Sequence, residues 1–290
     1  MKQKSGIFLL NKLSDISSYQ QINLLKHKLN IKKIGHAGTL DPLATGLLLV
    51  LVNDATKMSD FLLNDNKEYL ATMKLFIKTT TGDITGQIIE KQPTRELSLS
   101  KINQTFNFFN GRTYEQVVPI YSAVKINGKK LYNYARNNEK VTLPSRKITI
   151  NHLQLHDYNV DNQTITLNVN CSKGTYIRSL IEDIAKHLET IATIEHLSRT
   201  SSGNFNLKNS KLENQISWND LITLPDVIKK LSIPLVTYEE SKKLINGQAI
   251  DLPHVFDNKV FVMNLQKDII ALYEKGDDNK YYCKRVITNV

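Results

Sequence analysis

The order of extended and helical segments along the 290 residues is the feature that most constrains how this chain folds. Strand-like runs or alternations of apolar residues occupy six segments, at residues 7–10, 47–52, 67–78, 114–126, 146–158 and 163–171. Helical spacing separates some of them, at residues 22–29, 56–63, 97–109 and 177–188, and a loop is predicted at residues 32–42. Because strands and helices do not alternate regularly, the pattern predicts an α+β domain rather than a doubly wound parallel sheet.

The pattern changes between residues 218 and 234, where Pro225 and Pro234 bracket a short helical segment. Beyond it, a helix is predicted at residues 239–244 and strands at residues 259–265, 269–273 and 281–287. This C-terminal part has only about 55 residues, few for independent stability, so we expect it to pack against the larger part. Two domains are therefore predicted, residues 1–230 and residues 231–290.

The net charge points to a polyanionic partner. Lysine and arginine number 38 against 28 acidic residues, a net charge of +10, which suits nucleic acid or an anionic membrane surface. No run approaches the roughly 18 apolar residues that a membrane helix needs, so no membrane span is expected. Two cysteines, Cys171 and Cys283, predict neither a disulfide framework nor a metal cluster. The N-terminus lacks a secretory signal, so we expect a cytoplasmic protein.

Residues 35–46, GHAGTLDPLATG, form the segment with the clearest chemical potential. Three glycines and a proline specify its backbone tightly, and it carries one imidazole, His36, and one carboxylate, Asp41. One interpretation is a connecting turn in which Asp41 binds its own backbone. The other is a catalytic carboxylate on a rigid loop beside a buried strand, where a side chain is placed accurately. The residues alone leave both open.

An arginine occupies an unusual position in the predicted helix at residues 177–188. Apolar residues repeat on one face over three turns, and Thr175 is the predicted N-cap. Arg178 therefore lies in the first turn, where the positive end of the helix dipole disfavours a cation. A carboxylate partner elsewhere in the fold would explain its presence.

Residues 35–46 resemble the catalytic motif of the tRNA pseudouridine-55 synthases, the TruB family, almost residue for residue. Five further stretches resemble motifs of that family in the same order, at residues 67–69 (KEY), 81–86 (TGDITG), 119–136 (PIYSAVKINGKKLYNYAR), 171–178 (CSKGTYIR) and 197–200 (LSRT). Ordered matches over residues 6–203 are far more specific than one motif. Two positions depart from the family pattern: residues 12–15 lack the proline and glycine of Lys-Pro-x-Gly, and Val118 replaces a second proline.

The resemblance implies the pseudouridine synthase fold, a mixed and largely antiparallel sheet with inserted helices. Residues 244–250 are similar to part of the PUA-type RNA-binding module, so a small, mostly-β PUA-like module is expected at the C-terminus. The implied activity is isomerisation of uridine 55 in the T-loop of tRNA. The nucleotide is extruded, its C1′–N1 bond breaks, and the base rejoins through C5. This reaction needs no cofactor or metal, and the protein is expected to act as a monomer without an obligate protein partner.

The resemblance also assigns roles to individual side chains. Asp41 is the catalytic carboxylate, acting either as a nucleophile at C1′ or as a base on the ribose, and Arg178 compensates its charge. Tyr69 stacks on the uracil, and its phenol assists proton removal at C5. The remaining substrate-binding residues hold the extruded nucleotide or form the pocket wall: His36, Tyr176 and Leu197.

Four basic residues are candidates for contact with the RNA backbone, although a lysine run is more often a solvated face: Lys125, Lys129, Lys130 and Arg136. An alternative function is that of a tRNA-binding or remodelling protein with the same fold and secondary catalysis. The presence of Asp41, Tyr69 and Arg178 together argues against that alternative. A carboxylate glycosidase would need two acidic groups at a fixed separation, and the Asp41 segment offers one.

Overall fold

The computed structural model describes residues 4–63, 65–255 and 257–288, and these residues form eighteen β-strands and seven α-helices. The strands are β1 (Gly6–Lys12), β2 (Ile34–Ala37), β3 (Thr45–Val52), β4 (Lys67–Leu75), β5 (Ile77–Thr79), β6 (Ile88–Lys91), β7 (Thr113–Val117), β8 (Lys125–Ile126), β9 (Lys129–Lys130), β10 (Ser145–Asn159), β11 (Thr164–Cys171), β12 (Ala192–Ser202), β13 (Phe205–Asn206), β14 (Ile222–Thr223), β15 (Leu235–Thr237), β16 (Lys259–Met263), β17 (Ile269–Lys275) and β18 (Tyr281–Val286). The helices are α1 (Ser18–Lys28), α2 (Ser59–Leu63), α3 (Leu99–Phe109), α4 (Leu131–Arg136), α5 (Ile177–His187), α6 (Leu224–Lys230) and α7 (Ser241–Ile245).

One large sheet organises the first 223 residues. Its strand order is β14-β1-β3-β12-β4-β11-β10-β7, with β2 paired to β3 and β13 paired to β12. The pairing of β12 with β3 is parallel, and the other pairings in the sheet are antiparallel. The predicted α+β class, with a mixed and largely antiparallel sheet, is therefore confirmed.

Strands β1 and β3 are buried on both faces, which explains why their sequences are nearly continuous apolar runs rather than alternations. Alternate residues of β3 enter two different core clusters: Leu48, Val50 and Val52 in one, and Leu47, Leu49 and Leu51 in the other. Helix α5 covers the first face with the apolar stripe expected from its sequence, including Ile177, Ile181 and Ile184. The sheet thus forms a rigid platform between two packed layers.

A second sheet follows at the C-terminus, with the order β15-β16-β17-β18. It has a small core of its own, and its other face joins the second core cluster of the large domain through Phe261, Leu272 and Ile287. Arg285 forms an ion pair with Asp60 at 2.8 Å across this contact. The C-terminal part therefore packs against the larger part, as its small size predicted.

One local expectation was wrong, and a second is confirmed in its helical character but not in its helix type. The predicted loop at residues 32–42 contains strand β2, in which His36 lies opposite Val50 of β3. Pairing with an apolar neighbouring strand outweighs the weak strand preference of the glycines there. The predicted helix at residues 56–63 is a 3₁₀ helix over Asn53–Met58 followed by α2.

No helix within the described ranges is long and apolar enough to cross a bilayer. The expectation about a secretory signal depends partly on residues 1–3, which lie outside the described residues, as do residues 289–290 at the end of the second predicted domain.

Candidate active site

A cavity of about 280 Å³ opens where the loop between β2 and β3 meets β4, β12 and the start of α5. Four of the predicted site residues line it: Asp41, Tyr69, Tyr176 and Arg178. Leu197 of β12, which is 9% exposed, completes the apolar side of the wall. Side chains that are far apart in sequence are therefore brought into one cavity by the sheet.

Asp41 and Arg178 form the ion pair that the unusual position of the arginine suggested. Arg178 Nε donates to Asp41 Oδ2 at 2.8 Å, and Arg178 Nη2 donates to Asp41 Oδ1 at 3.3 Å. This is a two-point contact between a planar guanidinium and a carboxylate, which fixes orientation as well as charge. The Asp41 side chain keeps 38% of its surface exposed, so a substrate in the cavity can reach it.

The guanidinium is itself held in place on its other side. Nη1 donates to the Thr81 carbonyl and Nη2 donates to the Tyr121 carbonyl, each at 2.9 Å. Arg178 is 6% exposed, and these contacts use its donors in three directions. The orientation of Asp41 therefore depends on the turn at residues 81–86 and on the segment that contains Tyr121.

The entry to α5 differs from the prediction. Tyr176 is the N-cap residue, and its backbone N–H donates to Gln116 Oε1 at 2.9 Å, while Gln116 Nε2 donates to the Tyr176 carbonyl at 3.1 Å. Thr175 instead donates its hydroxyl to the Ser172 carbonyl at 2.9 Å and closes the preceding turn. The predicted N-cap at Thr175 was wrong because a side chain on β7 satisfies the helix entry.

A buried lysine stabilises the Asp41 loop through hydrogen bonds to backbone carbonyls. Lys12 Nζ donates to the carbonyls of Leu13, Pro42 and Ala44 at 2.9, 3.0 and 2.7 Å. Burial lowers the pKa of this ammonium to about 8, and the charge of Asp41 acts in the opposite direction. Although the Lys-Pro-x-Gly pattern has lost its proline and glycine, its lysine thus still holds the part of the loop that follows Asp41.

Protein-family models identify the chain: the TruB family pseudouridylate synthase (N terminal domain) matches residues 26–177, just over half of it. The chain belongs to the TruB family. It is 50% identical over 283 residues to the tRNA pseudouridine synthase B of Mycoplasma mycoides subsp. mycoides, covering 98% of this chain and 97% of the relative. The protein of the same name from Mesoplasma florum is 47% identical over 287 residues, covering 99% of both chains. The protein of that name from Staphylococcus aureus is 37% identical over 288 residues, covering 93% of this chain and 94% of the relative.

Solved structures match the same fold. The chain aligns with a chain of the crystal structure of a Cbf5-Nop10-Gar1 complex with a TM-score of 0.70 and 23% identity, covering 98% of this chain and 85% of that one. A chain of the crystal structure of the archaeal box H/ACA sRNP Nop10-Cbf5 complex aligns with a TM-score of 0.66 and 20% identity. The alignment covers 98% of this chain and 86% of that one. At this identity the likeness establishes the pseudouridine synthase fold of the TruB-family chain.

The predicted catalytic and substrate-binding residues all lie in the described part of the chain. Of these, His36 does not line the cavity. It lies opposite Val50 in the pairing of β2 with β3, and its Nδ1 is buried without a hydrogen-bond partner. Burial lowers its pKa first, and the charge of Arg199 lowers it further. A neutral imidazole with an unused nitrogen is therefore present beside the loop of this TruB-family protein.

The four predicted RNA-backbone residues lie together on the β8–β9 hairpin and on α4, close to the cavity residues Ser122 and Ala123. Lys129 is already paired, since its ammonium contacts Glu139 Oε1 at 2.5 Å. Lys130 and Arg136 lie over the ring of Tyr132, at 5.4 and 5.5 Å from its centroid. Lys125 is exposed on the edge of the hairpin.

Two cavity cations, Lys67 and Arg199, were not singled out from the sequence. Lys67 donates to the carbonyls of Leu63 and Asp65 at 2.6 and 2.5 Å, and burial lowers its pKa to about 8, with a further decrease from the charge of Arg199. Both residues lie within stretches that resemble family motifs. Apart from that resemblance, each is simply a basic residue inside a strand. Such a residue is also typical of a solvent-exposed strand edge, so the local sequence does not indicate a site.

Proposed function

We propose that this TruB-family enzyme converts uridine 55 in the T-loop of tRNA to pseudouridine, with Asp41 as the essential carboxylate. Relatives that match nearly the whole chain carry the name tRNA pseudouridine synthase B, which supports a uridine in tRNA as the substrate. The observation that carries the assignment of the site is the Asp41–Arg178 ion pair inside a cavity that Tyr69 also lines.

The geometry suits a reaction that rearranges one nucleoside. A volume of about 280 Å³ is near the lower end of ligand pockets, about 300 Å³, and fits one nucleoside. Arg178 places a positive charge against Asp41 in partly buried surroundings, where an unpaired carboxylate would be unfavourable. Asp41 then attacks C1′ or removes a ribose proton, and the detached uracil turns beneath Tyr69 before C5 bonds to C1′.

The uridine must leave the folded T-loop to reach Asp41, which costs a few kcal/mol of unstacking. Contacts with the RNA backbone offset this cost, and the segment from β8 to α4 supplies basic residues beside the cavity. We assign residues 1–230 to the catalytic domain and residues 231–290 to a PUA-like RNA-binding module. Helix α6 packs with β1 and thus lies on the catalytic side of this boundary.

A tRNA-binding or remodelling role with secondary catalysis is not favoured. Binding alone gives no reason to bury a two-point ion pair at Asp41, which keeps part of its carboxylate open to the cavity. We also propose that the protein acts as a monomer and needs no protein partner. Light scattering of the purified chain with and without tRNA tests this, and a stable dimer in both samples would contradict it.

The decisive experiment incubates the protein with an unmodified tRNA transcript and maps pseudouridine at every uridine. We expect product at position 55 and not at other uridines. A transcript with cytidine at position 55 serves as the control and should give no product. Formation of pseudouridine only at another position would contradict the assigned substrate site, and formation at none would contradict the function.

A further inference from the structure

Arg199 is a buried cation without a carboxylate partner. Its side chain is 1% exposed, and its Nε donates to the Leu47 carbonyl at 2.7 Å while its Nη2 donates to the Gly38 carbonyl at 3.1 Å. None of the ion pairs among the residues that the structure describes includes Arg199. Buried charges are usually paired because leaving water is costly, so this guanidinium needs an explanation.

The sheet places this guanidinium beside the phenol of Tyr69. In the antiparallel pairing of β12 with β4, Arg199 lies directly opposite Tyr69, and side chains at paired positions share one face of a sheet. Both residues line the cavity. Gly38 leaves room for the arrangement, since a Cβ at that position would lie 3.1 Å from Arg199 Nη1. The two side chains therefore form one wall of the reaction site.

The electrostatic effect of Arg199 on Tyr69 opposes the effect of burial. Desolvation raises the pKa of the Tyr69 phenol most, the charge of Arg199 acts to lower that pKa, and Cys171 and the charge of Asp41 act to raise it. A phenol accepts a proton only as the phenolate, and a nearby cation stabilises that form.

We propose that Arg199 is a positioning residue for proton transfer, holding the Tyr69 hydroxyl towards the cavity and stabilising its phenolate while the C5 proton is removed. This role rests on the proposed function. The C1′–N1 bond breaks and the C1′–C5 bond forms, which leaves a hydrogen on a tetrahedral C5. That proton moves to the Tyr69 phenolate, its bonding pair returns to the ring, and N1 gains a proton from solvent. The Tyr69 phenol then releases its proton to solvent, which restores the phenolate and leaves no net proton uptake. Substrate and product are isomers, so no oxidant or reductant takes part.

The test measures whether C5–H cleavage becomes slower when Arg199 is changed. Turnover of wild type, Arg199→Lys and Arg199→Gln is measured on tRNA transcripts made with uridine or with [5-²H]uridine, over a range of pH. We expect Arg199→Gln to reduce kcat by about 10²-fold, the typical contribution of a positioned proton-transfer group. Its deuterium isotope effect should exceed that of wild type, and the limb of its pH profile that reports Tyr69 ionisation should move to higher pH. Arg199→Lys, which keeps the charge but not the planar fork, should be intermediate.

Controls separate this role from a structural one. Arg112→Gln removes an exposed arginine that stacks on Phe108 outside the cavity, and it should leave the isotope effect unchanged. A lower kcat for Arg199→Gln with the isotope effect and pH profile of wild type would overturn the proposal. If Arg199→Gln does not fold, Arg199→Lys decides, and an isotope effect equal to that of wild type again overturns it. Wild type that forms no pseudouridine would instead contradict the proposed function.

Discussion

Replacing Arg178 with lysine probes the Asp41 ion pair while keeping the positive charge. The guanidinium makes four hydrogen bonds, two to Asp41 and one each to the carbonyls of Thr81 and Tyr121. An ammonium is a single point with three donors, so Arg178→Lys cannot span the carboxylate and both carbonyls at once. At least one of the four hydrogen bonds is therefore lost.

The magnitude follows from these contacts. A hydrogen bond to a charged group contributes about 1.5–3 kcal/mol, which is the loss of stability expected for one lost hydrogen bond. Asp41 is 38% exposed, and water replaces part of the lost contact, so we expect a destabilisation of about 2 kcal/mol. Displacement of the carboxylate by about 1 Å can reduce turnover about 10²-fold, which corresponds to about 2.7 kcal/mol in the barrier.

The assay combines single-turnover pseudouridine formation with a binding titration of tRNA. Arg178→Lys should lower kcat about 10²-fold and change Kd by less than about threefold, since phosphate and shape contacts dominate affinity. Arg95→Lys, at an exposed arginine that donates to the Glu189 carbonyl, is the matched control and should leave both quantities unchanged. Turnover of Arg178→Lys within threefold of wild type would refute the reasoning about the two-point contact.

Three further predictions concern stability and RNA binding. The folded pKa of Lys12, about 8, lies below its ordinary 10.5, so the unfolded chain binds more protons between these values, and the free energy of unfolding should rise with pH there. Urea unfolding should show a shallower rise for Lys12→Met. Gly46 has φ +98°, and a Cβ there would overlap the backbone of β12, so Gly46→Ala should destabilise the protein by about 3 kcal/mol or more in denaturant titrations. Gly111→Ala, with open space around it, should cost about 1–2 kcal/mol. In tRNA titrations at several salt concentrations, Lys125→Ala should reduce the slope of log Kobs by about 0.7–0.9, whereas Lys129→Ala, whose ammonium already pairs with a glutamate, should change it much less.

The large elements could be predicted from sequence because their patterns are local. The apolar run of β3 and the apolar stripe of α5 each match the element that the structure contains. Strand β2 could not be predicted, since it exists only through its pairing with β3. The N-cap of α5 was predicted wrongly for the same reason. Gln116, 60 residues earlier in the chain, accepts a hydrogen bond from the backbone N–H of the actual N-cap, Tyr176.

The same distinction between local sequence patterns and pairing of distant segments applies to the candidate site. The Asp41–Arg178 contact was predictable because the helix dipole disfavours a cation in the first turn, so a carboxylate partner was expected. Arg199 was not predictable as a buried cation, because its burial depends on the pairing of β12 with both β3 and β4. The absence of His36 from the cavity wall also follows from strand pairing, which no local pattern reports.

The measurement that tests the central claim most directly compares turnover and tRNA affinity for Asp41→Asn. The substitution keeps the shape of the side chain and removes the charge that either catalytic role requires. We expect pseudouridine formation at position 55 to fall below detection, while Kd for tRNA stays within about threefold of wild type because phosphate contacts and RNA shape supply the affinity. Turnover within tenfold of wild type would contradict the claim that Asp41 is the essential carboxylate.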